Sequence, residues 1–70
     1  MKVKNVLKGI CREYALEEIT IMTDEKVIYS GTLEGWNGTS VDMILYKKEV
    51  ENMEVVKRLM FNRRKAFIFV

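Results

Sequence analysis

Val50-Glu51-Asn52-Met53-Glu54-Val55-Val56-Lys57-Arg58-Leu59-Met60-Phe61 is the stretch on which the fold of this chain turns. Val50, Met53, Val56 and Met60 recur at helical spacing, whereas Met53, Val55, Lys57, Leu59 and Phe61 alternate as the residues of a strand do. Read as a strand, the stretch belongs to a strongly bent antiparallel sheet of five strands that closes into a small barrel. Read as a second helix near 48–60, it leaves an open α+β sheet. The strand is the favoured reading.

Downstream, Ala66-Phe67-Ile68-Phe69-Val70 is apolar at every position, which a strand with one wetted face could not be. It must be enclosed by a barrel or covered by another subunit. Upstream, Val41-Asp42-Met43-Ile44-Leu45-Tyr46 has a β pattern, and Asn37-Gly38 before it is a short-range hairpin signal because both residues tolerate positive φ. Val27 to Trp36 is rich in β-branched and aromatic residues, with Gly31 and Gly35 where a strand would bend or bulge. Ile19, Ile21 and Thr23 alternate against Thr20 and Met22 before the polar break Asp24-Glu25-Lys26. Ahead of these, Val3, Val6, Leu7, Ile10 and Tyr14 share one face of an amphipathic helix. The expectation is a single domain over 1–70, mainly β, with an N-terminal helix over 1–16 and a β-barrel over 18–70.

Seventy residues leave room for one small core, whose apolar burial roughly offsets the ordering cost of the chain. Small domains often add a disulfide, a metal or a partner subunit. Cys11 is the sole cysteine and there is no histidine, so neither an internal disulfide nor a usual zinc site is on offer. Self-association is the remaining source of extra stability. The lack of histidine also removes Ser-His and Cys-His chemistry. Glu17-Glu18 and Asp24-Glu25 are adjacent carboxylates, and neighbours along a strand point to opposite faces, so paired acid/base work is not expected. No glycine-rich phosphate loop occurs, Cys11 reads as packing on the buried side of its helix, and no cofactor is implied. The reading is non-enzymatic.

No apolar run approaches the length needed to cross a bilayer, and the start of the chain has no signal-peptide core, so a cytoplasmic protein away from membranes is expected. In that setting the sequon Asn37-Gly38-Thr39 reads as a turn. Net charge is +2 but uneven: residues 36–70 carry seven basic and four acidic side chains, against five and six over residues 1–35. Between Lys57 and Lys65 stand Lys57, Arg58, Arg63, Arg64 and Lys65 with no acid, so an anionic partner would bind there.

The order of elements, together with Val27-Ile28-Tyr29-Ser30-Gly31-Thr32-Leu33-Glu34-Gly35-Trp36-Asn37, resembles the Sm-like family of small barrels. The Gly-x-Leu step and the aromatic residue at its end look like the family's first motif. Phe61-Asn62-Arg63-Arg64-Lys65-Ala66-Phe67-Ile68-Phe69 is similar to its second, where the family has an apolar residue, Arg-Gly and a closing apolar strand. The resemblance implies a helix leading into a bent five-stranded sheet, edge-to-edge self-association through the terminal strands, and RNA binding. Carried over by position, it implies a site of Trp36, Asn37, Asp42, Asn62, Arg63, Arg64 and Lys65. Asn37 stands where the family has aspartate, Val41-Asp42 where it has Met-Asn, and Asn62-Arg63 where it has Arg-Gly. As an aspartate, Asp42 accepts but does not donate when ionised.

Two functions follow as expectations. One is a self-associating barrel that binds single-stranded RNA through the basic turn Asn62-Arg63-Arg64-Lys65, with Trp36 or Tyr46 as a stacking surface. The other is a protein–protein interaction module of bacterial or phage type, in which the basic turn keeps an apolar hairpin in solution and blunts an edge.

Overall fold

The structure, a computed structural model, describes residues 1–38, 44–62 and 64–70, with backbone alone over 44–46. It contains α1 (Val3–Glu13), β1 (Glu18–Met22), β2 (Val27–Thr32), α2 (Leu33–Asn37), α3 (Ile44–Glu51), β3 (Lys57–Phe61) and β4 (Lys65–Phe69). The four strands form one sheet in the order β2-β1-β4-β3. β1 runs antiparallel to β2 and parallel to β4, and β3 runs antiparallel to β4.

This corrects the expected five-stranded antiparallel barrel. The sheet is mixed and open, with β2 and β3 as its two edges. The open α+β arrangement is the one found, although two helices follow α1, at Leu33–Asn37 and Ile44–Glu51, in place of one near 48–60. The decisive stretch contains both elements: Val50 closes the buried face of α3, and the strand begins only at Lys57. Of the strand expected over 41–46, residues 41–43 lie outside those described and Ile44 opens a helix.

α1 forms for the reason its spacing suggests. Val3, Val6, Leu7 and Ile10 are its buried residues, and they join Ile19, Ile21, Trp36, Val50, Ala66 and Ile68 in one core cluster. Alternate residues of β1 and β4 thus point beneath the helices. A second tie fixes the N-terminal segment: Val3 N–H donates to the Met53 carbonyl at 3.0 Å and Val55 N–H to the Met1 carbonyl at 2.8 Å. The short connection between β1 and β2 is closed by Thr23, whose hydroxyl accepts from the backbone of Glu25 and Lys26 at 3.2 and 3.1 Å.

The strand expected over 27–36 stops at Thr32. There the Thr32 hydroxyl accepts from Gly35 N–H at 2.9 Å and caps α2, so the chain turns helical at Leu33. Gly31 and Gly35 serve this turn and not a bulge. A Cβ on Gly35 would lie 2.9 Å from both Thr32 Oγ1 and Tyr29 Oη, and one on Gly31 would lie 3.0 Å from Tyr29 Oη. The two glycines therefore leave a slot for the Tyr29 ring, whose hydroxyl donates to the Thr32 carbonyl at 2.7 Å. Asn37 and Gly38 end α2 and form no hairpin.

β4 is apolar on both faces because it is central. Ala66 and Ile68 are fully buried beneath the helices, while Phe67 and Phe69 are half-buried on the other side.

Candidate nucleic-acid interface

The side of the sheet away from the core follows directly from the register. Three rows cross it: Thr32, Glu18, Lys65 and Phe61; then Ser30, Thr20, Phe67 and Leu59; then Val27, Met22, Phe69 and Lys57. Half of this face, contributed by β1 and β2, is mostly polar, with the Thr20 and Ser30 hydroxyls 3.2 Å apart. The half contributed by β4 and β3 holds three phenylalanines, a leucine and two lysines. Leu59 is 48% exposed and Phe61 59%, although a sheet face with this content is ordinarily covered.

The lysines do not point away from the rings. Lys57 Nζ lies 4.9 Å from the centroid of Phe69, its cross-strand partner, and Lys65 Nζ lies 5.3 Å from the centroid of Phe67, two residues along its own strand. Both are within the ~6 Å over which a ring face attracts a cation. Lys65 also approaches Glu18 at 3.7 Å, a half-exposed pair worth little in stability because water screens it. Thus the face offers flat apolar surfaces with positive charge beside them.

The expected site residues divide around this face. Asn62 sits in the β3–β4 turn with φ of 54°, a left-handed conformation that asparagine tolerates, and Arg64 N–H closes the turn onto the Phe61 carbonyl at 3.3 Å. Arg64 is exposed, and its carbonyl accepts from the N–H groups of Glu17 and Glu18 at 2.8 and 3.0 Å, which anchors the turn to the start of β1. Lys65 opens β4 on the uncovered face. Arg63 and Asp42 lie outside the described residues.

Trp36 is only 3% exposed and packs at 5.0 Å against Tyr29, on the helix side of the sheet, so it has no face for a base. Asn37 is exposed at the end of α2, where its carbonyl accepts from Lys47 Nζ at 3.4 Å. The side chain of Tyr46 is not among those described. Cys11, expected to pack, is exposed.

Sequence reasoning passed over Phe67, Phe69, Leu59, Phe61 and Lys57 as a set. The signal was there: Lys57-x-Leu59-x-Phe61 and Lys65-x-Phe67-x-Phe69 are two alternations of cation, apolar and aromatic residues that become adjacent in an antiparallel hairpin.

Two hollows lie elsewhere. One of about 230 Å³ is bordered by Lys4, Lys8, Cys11 and Trp36, and a broader one lies along Leu16, Glu17, Leu33 and Asn37. Both open widely to the surface. Among the described residues, no cluster of three or more metal-ligating side chains occurs, and no helix is long and apolar enough to cross a membrane.

Comparison with protein-family models, with curated proteins and with solved structures finds no match to this chain.

Proposed function

We propose that this protein is a non-enzymatic module that binds single-stranded RNA on the uncovered face of its sheet. The observation that carries the reading is the placement of two lysine ammonium groups over phenylalanine rings, with Phe61 exposed next to them, on a face that no helix among the described residues covers. The exposed Phe61 ring supplies a surface on which an unpaired base stacks, an interaction that tolerates any base because every base has a π face, while Phe67 and Phe69 are half-buried with a lysine ammonium over each ring. Lys57, Lys65 and the exposed Arg64 supply charge for the phosphates flanking that base. The exposed Ser30 and Thr32 hydroxyls on the adjoining half suit the 2′-hydroxyls of RNA, which can both donate and accept.

Fluorescence anisotropy with labelled uridine-rich and mixed RNA, and with DNA of the same sequence, tests this. Single strands release about 0.7 counterion per neutralised phosphate, so three cations predict a log–log slope of affinity against salt near about −2. Phe61→Ala removes a largely exposed ring and leaves the core intact; it should weaken binding by roughly 1–3 kcal/mol, about 5- to 150-fold. Lys57→Gln should flatten the slope by about 0.7. If wild-type protein fails to bind at about 100 µM in low salt, or if Phe61→Ala binds as tightly as wild type, the RNA reading is wrong. Tight binding of a protein partner with little salt dependence would instead favour the interaction-module reading, for which exposed Leu59 and Phe61 are equally suited.

A further inference from the structure

We infer that two copies of this chain pair through β3, edge to edge and antiparallel, about a two-fold axis at Leu59, making one continuous eight-stranded sheet. The starting point is the contrast between the two edges. Along β2 the register against β1 shifts between Val27 and Tyr29, leaving Ile28 unmatched, and at its far end the chain turns into α2. Both features blunt an edge.

β3 has neither. Its five residues pair without interruption from Lys57 opposite Phe69 to Phe61 opposite Lys65, it contains no proline, and among the described residues no strand adjoins its outer side. Just ahead of it Lys2 bridges Glu54 and Val55 N–H donates to the Met1 carbonyl, and Lys57 and Arg58 charge its start, so the outward backbone groups left for another strand are those of Lys57–Phe61 and its pairing must accommodate those two cations. Leu59 and Phe61 stand exposed along it, and Val56 just before it is 81% exposed.

The pattern of side chains selects the register. Only pairing centred on Leu59 matches all five residues of one β3 with all five of the other. It sets Leu59 against Leu59 of the second copy, Lys57 against Phe61 and Arg58 against Met60. Each cation then meets an apolar or aromatic residue. Sliding one copy toward the start of β3 until Arg58 becomes the centre would set Arg58 against Arg58, and like charges directly opposite destabilise a strand pair. Sliding it the other way leaves Lys57 and Arg58 beyond the end of the opposing strand.

Because directly opposed residues of an antiparallel pair point the same way, the two uncovered faces come to lie on one side of the joined sheet. Strand pairing of this length is a small interface, so the dimer is a weak one that forms with rising concentration. None of this depends on what the uncovered face binds.

Sedimentation velocity on the full chain from about 10 µM to about 1 mM should show the mass rise from 8.3 kDa toward twice that value. Leu59→Lys places two ammonium groups face to face at an already exposed position. It should remain a monomer with unchanged circular dichroism. In a Cys11→Ser background, Leu59→Cys should oxidise readily to a linked dimer, because opposed strand residues lie about 4.5–5.5 Å apart at Cα, within disulfide reach. Val27→Cys on the other edge should not. A wild-type chain that stays monomeric throughout, a Leu59→Lys variant that dimerises like wild type, or equal cross-linking at positions 27 and 59 would each overturn the proposal.

Discussion

Val50 and Val56 are the same residue six positions apart, yet one is fully buried in α3 and the other is 81% exposed just before β3. Truncating each to alanine therefore isolates burial from chemistry. Val50→Ala removes two carbons that touch the core cluster of α1, β1 and β4. At ~0.8 kcal/mol per buried carbon this costs about 1.6 kcal/mol. An unfilled space of ~50 Å³ adds about 1 kcal/mol. Alanine's better helix propensity returns about 0.5 kcal/mol. The net loss is roughly 2 kcal/mol, a large share of the about 4–10 kcal/mol expected for a domain of this length. Thermal unfolding followed by circular dichroism should show the midpoint fall by about 8–16 °C. Val56→Ala should shift it by no more than the ~0.5 kcal/mol typical of surface positions. Equal losses at the two positions, or a Val50→Ala variant as stable as wild type, would refute both the helical assignment around Val50 and the core built on it.

Two further substitutions probe local structure. Gly9 lies within α1 with nothing inside 4 Å of where a Cβ would stand, so Gly9→Ala should stabilise the protein by about 0.5–1 kcal/mol in urea unfolding. Thr32→Ala removes the hydroxyl that caps α2 and should cost about 1 kcal/mol, whereas Thr32→Ser, which keeps the hydroxyl, should cost much less in the same assay.

Much of the helix and the first hairpin was legible in the sequence because both are set by local periodicity. The spacing of Val3, Val6, Leu7 and Ile10 specifies a single helical face, and the alternation of Ile19 and Ile21 with Thr20 specifies a strand half-covered by that helix. The region 33–37 was not legible, since Gly35 disfavours a helix and a five-residue segment is too short for Leu33 and Trp36 to show a helical period. There the cap on Thr32 and the burial of Trp36 against Tyr29 override strand propensity. Over 50–61 the competing periods were both real, because the window straddles the end of a helix and the whole of a strand.

The candidate site was half legible for a related reason. Asn62 to Lys65 announces itself as a basic turn, but a strand with apolar residues at every position does not reveal which alternate set the helices will cover. Only the pairing of β4 between β1 and β3 assigns Ala66 and Ile68 to the core and leaves Phe67 and Phe69 outside it. Trp36, the largest aromatic residue beside a turn signal, reads from the sequence as a core or hairpin-end residue before it reads as a stacking platform, and its burial against Tyr29 agrees with the core reading.

The central position of β4 also orders events during synthesis. Its parallel partner β1 lies roughly fifty positions earlier in the chain, so the middle of the sheet cannot close until Lys65–Phe69 has been made. Before then a nascent chain holds a helix and the β1–β2 hairpin, with the β1 edge that later takes β4 unpaired and the Ile19 and Ile21 side chains without Ala66 and Ile68 beside them. Such exposed edges are where growing chains stick to one another or engage chaperones. β4, the latest of the four strands in chain order, is thus the one that seals the core, and ribosomes stalled short of it would display a sticky half-sheet in place of a folded domain.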